Sequence, residues 1–80
     1  MLMPTKHIKT ENALVGVGGD VLAQLDTPKT VSRLFYDLQQ LRKESELPTL
    51  QFDWFLLALD FLYSVGAIRL DSGLIRKLNQ

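Results

Sequence analysis

Two carboxylates, one histidine and one glycine cluster are the side chains in this chain whose types and spacing bear on chemistry. Asp53 and Asp60 lie seven residues apart. On a helix that is two turns, about 10 Å along the axis. The pair suits a solvated acidic stripe or an ion-pairing site for a partner better than general acid–base work. His7 is the sole histidine and there is no cysteine. Thiolate metal sites and a disulfide framework are therefore excluded. A metal held by His7 would need carboxylates, and Glu11 is the nearest in sequence; the ordinary role for His7 is a polar surface residue. Gly16-Val17-Gly18-Gly19 has the look of a phosphate loop but lacks the Lys-Ser/Thr and the preceding strand such a loop requires. Close packing or a helix start accounts for it more simply. Thr27-Pro28-Lys29-Thr30 reads as a turn plus a helix cap rather than an anion site. No nucleophile and base stand out as a set, so the sequence predicts no catalytic residue, no cofactor and no metal.

The elements that carry these residues follow from apolar spacing in 80 residues, enough for one domain. Residues 1–11 read as an N-terminal arm, extended over Met1 to Thr10, with Lys6 to Lys9 suited to pairing as an edge strand. Residues 12–80 form the domain. A first helix is predicted from Asn12, as N-cap, to Leu25, with Leu14, Val17, Val21, Leu22 and Leu25 on one face. Gly16, Gly18 and Gly19 each weaken it by about 1 kcal/mol relative to alanine. They mark a close backbone approach or a start as late as Gly19. A second helix follows the Thr30 cap, with Val31, Leu34, Phe35, Leu38 and Leu41 as its stripe and Arg33, Asp37, Gln40 and Lys43 facing away. It ends in the polar segment Lys43 to Pro48.

The third helix, about Gln51 to Val65, carries most of the functional argument. From Phe52 to Val65 only Asp53, Asp60 and Ser64 are polar. Phe52, Phe55, Leu59, Leu62 and Tyr63 make one apolar face; Trp54, Leu57, Ala58, Phe61 and Val65 make a second. A helix apolar nearly all round must be covered nearly all round, and two other helices in so short a chain hardly suffice. Core packing and partner contact each account for Trp54, Leu57 and Phe61. The whole arc, with Val65 and the acidic edge of Asp53 and Asp60, is the predicted partner-binding surface. Gly66 suits a helix C-terminus. Ala67–Leu70 and Leu74–Leu78 then flank Asp71-Ser72-Gly73, which predicts a hairpin with a three-residue bulged loop. The fold class is mainly α with a C-terminal β-hairpin, winged-helix-like, with three helices plus a wing.

A winged helix raises the question of DNA. Nine basic and nine acidic residues leave no net charge, whereas phosphate-holding domains carry a basic excess. The third helix has no Lys or Arg, and its two aspartates repel phosphate. Lys6, His7 and Lys9 in the arm and Arg69, Arg76 and Lys77 in the wing are the candidates for nucleic-acid or second-partner contact, with DNA touched only as part of a complex. Their ordinary role is a solubilising rim. No apolar run is long enough to span a bilayer, and the N-terminus lacks a signal peptide pattern. The predicted location is cytoplasmic, with no membrane partner.

Met3-Pro4-Thr5-Lys6-His7-Ile8-Lys9, Leu14-Val15-Gly16-Val17-Gly18 and Pro28-Lys29-Thr30-Val31-Ser32-Arg33-Leu34 followed by Phe35 recur in order with Phe52-Asp53-Trp54-Phe55, Ala58-Leu59-Asp60 and Gly66-Ala67-Ile68. Together they resemble the small middle component, class six, of bacterial ABC-three-component (ABC-3C) systems, over nearly the whole chain. The resemblance implies a winged-helix-like adaptor without catalytic residues. It implies a link between an ABC ATPase of Rad50 or SMC type and an effector, often a nuclease, in anti-phage and anti-plasmid defence of the Lamassu type. The alternatives are an independent DNA-binding transcriptional regulator and an obligate homodimer that packs third helices together.

Overall fold

The computed structural model describes the backbone of residues 3–78 and the side chains of residues 14–78. The order is α1 (Met3–Gln24), α2 (Val31–Glu44), α3 (Phe52–Ser64), β1 (Ile68–Asp71) and β2 (Leu74–Lys77). Three helices followed by an antiparallel hairpin give the expected winged-helix-like arrangement.

α1 departs most from expectation. It begins at Met3, so the extended arm and the Lys6–Lys9 edge strand are replaced by helix, and Asn12 is interior to it. Pro4 permits this, because in a first turn its missing N–H has no intrahelical acceptor to lose. No other breaker occurs before Gly16. The glycines are carried inside the helix, held by packing at Val17, Val21 and Leu25, all buried. The anticipated close approach of another backbone does not occur at Gly16, Gly18 or Gly19; only Gly18 has a neighbour, and it is a side chain. A Cβ there would stand 3.5 Å from Leu62 Cδ2, an ordinary contact, while Gly16 and Gly19 face open space.

α2 starts as predicted. Thr30 is extended (φ −71°, ψ 162°) and its Oγ1 accepts the Arg33 N–H at 3.1 Å, satisfying one orphan donor of the first turn. At the other end Glu46 is left-handed (φ 58°). The Glu46 N–H donates to Lys43 O and the Leu47 N–H to Arg42 O, which closes the helix in a Schellman pattern. α3 ends the same way with the more usual residue: Gly66 has φ 76°, its N–H donates to Tyr63 O, and the Ala67 N–H donates to Leu62 O.

The hairpin is tighter than the sequence suggested. Asp71 pairs with Leu74, leaving a two-residue loop in place of the expected bulged one. Ser72 (φ 54°) and Gly73 (φ 80°) are both left-handed, the type I′ geometry that matches strand twist. Before α2, the extended Lys29 pairs with β2: its N–H donates to Ile75 O at 3.0 Å and the Ile75 N–H donates to Lys29 O at 2.7 Å. β2 is thus flanked on both sides. Ile68 and Ile75 turn inward onto a core formed with Val21, Leu25, Leu34, Leu38 and Phe55.

Candidate partner-binding face on the third helix

α3 rises through the domain with Phe55, Ala58 and Leu62 buried. At about 100° per residue those three fix one direction as inward. Asp53, Asp60 and Ser64 fall opposite, within an arc of about 40°, and all are exposed. Apolar side chains line both margins of this stripe. Leu57 (50% exposed), Phe61 (40%) and Val65 (62%) lie on one margin; Phe52, Leu56 and Tyr63 (64%) lie on the other.

Leu57, Phe61, Val65, Asp53 and Asp60, expected to meet a partner, are all exposed. Trp54 is half-buried and packs against the core, so it belongs partly to each surface. Ala58, assigned to the second face, is fully buried. Phe52 and Tyr63, grouped on the first apolar face with Phe55 and Leu62, are exposed where those two are buried. The cause is visible at Phe52. Its ring packs edge-on against Phe35 (5.2 Å, 89°) and lies 5.7 Å from Phe55, a rim position that leaves about half of it (48%) exposed. Leu56 was placed on neither face in the sequence reading. Helical angle alone would have found it, since it stands beside Asp60 and Tyr63.

Of the described basic candidates, Arg69 and Arg76 share one face of the hairpin and Lys77 lies on the other. Arg76 Nε donates to Asp71 Oδ2 at 2.9 Å, so much of its charge is compensated. Arg69 is exposed and directly opposes Arg76 across the ladder. Lys77 opposes Ile68 and is half-buried. The side chains of Lys6, His7 and Lys9 lie outside the described residues. Among the described residues no group of three or more metal-ligating side chains comes together, and no helix is long and apolar enough to cross a membrane.

One polar centre was missed. Asp37, expected to face away, accepts from Lys29 Nζ at 2.6 Å and also pairs with Arg33. Both Lys29 and Asp37 are largely covered. The Lys29 hydrogen bond holds the Asp37 carboxyl below its ordinary range; burial works against this, and the charges of Lys29 and Arg33 reinforce it. The contact ties the residue that pairs with β2 to the second turn of α2. Arg33–Asp37 has helical i,i+4 spacing and was legible. Lys29–Asp37 spans a helix start and was not.

A winged-helix-like domain usually reads DNA with a third helix rich in basic and polar groups; here that helix is apolar and acidic. This is therefore a winged-helix-like domain whose third helix lacks the chemistry of a groove reader. The chain belongs to the family of the ABC-three component (ABC-3C) system Middle Component 6, whose model matches residues 3–78. No curated protein and no solved structure matches it. As a middle component it is one part of a multi-subunit system, consistent with an adaptor role.

Proposed function

We propose that this chain is a non-enzymatic adaptor subunit. It links a Rad50- or SMC-like ABC ATPase to an effector, often a nuclease, in a cytoplasmic bacterial system that defends against phage and plasmids. One observation carries the reading: Leu57, Phe61 and Val65 form an exposed apolar margin on a helix already anchored by its own core residues. These side chains are already about half covered, so completing their burial on a partner contributes roughly half of the about 1.5–3 kcal/mol that full burial of such a side chain gives. Family membership supports the multi-subunit setting.

Charge argues against two other occupants of this face. Duplex DNA would meet Asp53 and Asp60 with no Lys or Arg on α3. A second copy packed α3 to α3 would bring the same carboxylates together within an apolar contact, where like charges are costly. The test is co-purification with the other components encoded by the same system, comparing wild type with Leu57→Glu/Phe61→Glu. Loss of assembly by a variant that melts like wild type is the expected result. A folded double variant that still assembles fully would remove α3 as the docking face.

A further inference from the structure

The edge of β1 that faces away from β2 has no strand partner among the described residues. Leu78 N–H donates to Ala67 O, while the N–H and C=O of Ile75 both turn to Lys29. In an antiparallel ladder hydrogen-bonded and non-bonded pairs alternate. Leu70↔Ile75 and Ile68↔Lys77 are therefore the non-bonded pairs, and the N–H and C=O groups of Ile68 and Leu70 point away from β2. Beside this edge runs an open groove of about 790 Å³ bounded by Tyr63, Gly66, Leu70 and Leu78. A largely apolar recess of about 130 Å³ shares Tyr63, Ile68 and Leu70 with it and is walled further by Val31, Leu59, Ile75 and the carboxylate-bearing Asp60.

Two donors and two acceptors spaced two residues apart are matched by another extended backbone, the strand-addition mode of recognition. A second copy of β1 fits poorly in each of the three antiparallel registers that pair these groups. Centred on Ile68, the ladder runs from Leu70 onto the left-handed Gly66 of the other copy and stops after one bonded pair. Centred on Leu70, the ladder runs from Ile68 onto the left-handed Ser72 of the other copy and stops after one bonded pair. Centred on Arg69, it sets two guanidinium groups against each other in the closest side-chain position. Arg69 is exposed and has no ion pair among the described residues.

We infer that the β1 edge accepts an extended segment from another protein chain, with an acidic residue opposite Arg69 and an apolar residue on each side of it. The flanking side chains face the groove, and one enters the recess between Val31, Leu59, Ile68 and Ile75. This rests on the adaptor reading above, and it supplies the second contact that a linking subunit needs.

Residue-resolved amide exchange tests it on the wild-type chain, alone and in the complex with the other components of the system. The Ile68 and Leu70 amides exchange freely in the isolated chain and slow at least about tenfold in the complex. Two substitutions add an independent arm. Leu70→Pro removes an edge donor that β2 does not use, at a position edge strands tolerate. It weakens assembly at least about tenfold, whereas Leu70→Thr, which keeps the donor, does not. A complex that forms while both amides exchange as in the free chain overturns this inference and leaves the adaptor reading standing. So does a Leu70→Pro chain that assembles like wild type. Failure of the wild-type chain to assemble at all overturns both.

Discussion

The side chain of Gln39 forms a reciprocal pair of hydrogen bonds with the backbone of Leu50: Gln39 Nε2 donates to Leu50 O at 2.7 Å, and the Leu50 N–H donates to Gln39 Oε1 at 3.0 Å. The carboxamide imitates a neighbouring strand. It satisfies both backbone groups of the buried residue that leads into α3, and so sets where the third helix begins. Arg42 Nε, donating to Pro48 O at 2.8 Å, secures the same connection one turn further along α2. Gln39→Ala leaves a half-covered N–H and C=O unpaired, which costs about 1–3 kcal/mol. Urea denaturation should show a lower midpoint with an unchanged slope. An unaltered midpoint would mean that water replaces the carboxamide without loss.

Asp37 gives stability a defined acid dependence. Its folded-state pKa lies below the ordinary value of 3.8, so folding favours the charged carboxylate. The resulting stabilisation is fully present above the ordinary value and is lost as pH falls through the lowered folded value. Asp37→Asn should therefore be less stable than wild type at pH 7, with the gap closing below about pH 4. Thermal melts of both proteins from pH 7 to pH 2 give the comparison. A gap independent of pH would assign the contact to packing or neutral hydrogen bonding.

The two helix ends that close in left-handed residues predict changes of opposite sign. Glu46 holds φ 58° with a side chain present, and Gly66 holds φ 76° without one. Glu46→Gly relieves a conformation that L-residues avoid and should leave stability level or raise it by up to about 1 kcal/mol. Gly66→Ala imposes that strain and should cost about 1 kcal/mol or more. A Cβ at Gly66 meets nothing within 4 Å, so any loss measured there is backbone strain rather than a clash.

α1 offers a test of its continuity. Gly16 and Gly19 sit inside a helix and face open space. Alanine at either position should stabilise by about 1 kcal/mol. Were this segment a loop, the same substitutions would be neutral or harmful, and a calorimetric melt separates the two outcomes.

The start and apolar stripe of α2 were legible because they are local signals: Thr30 precedes Val31, and Leu34 and Leu38 recur at helical spacing; the cover over Asp37 was not, because it comes from Lys29 outside the helix. The core of α3 was legible for the same reason at Phe55 and Leu62. Its rim was not, because whether Phe52 or Ala58 is covered depends on where Phe35 and α1 lie, and periodicity does not supply that. The start of α1 was obscured by Pro4 and by the lack of an apolar period before Leu14. The Lys29–Ile75 pairing joins residues more than forty apart in sequence. Nothing local to Pro28-Lys29-Thr30 announces it beyond an extended backbone. Of the candidate site, exposure at Leu57, Phe61, Asp53 and Asp60 followed from helical angle. The free edge of β1 emerged only once the register of the hairpin and the direction of Ile75 were known.

The charge of α3 makes a prediction about DNA that separates fold from function. A winged helix that reads the major groove places its third helix against phosphate-lined walls, and non-specific binding by such domains falls at about 10⁻⁴–10⁻⁶ M at physiological salt. Here Asp53 and Asp60 occupy the centre of the exposed arc, and Arg76 is held by Asp71. The isolated chain should bind a labelled duplex more weakly than that range, and Arg69→Ala should change nothing measurable. Asp53→Lys/Asp60→Lys reverses the sign of the stripe without touching the buried residues Phe55, Ala58 and Leu62. Anisotropy titration at low salt should then reveal binding that salt removes. Tight, salt-sensitive binding by the wild-type chain would instead place the reader elsewhere than α3 and return the domain to the regulator class.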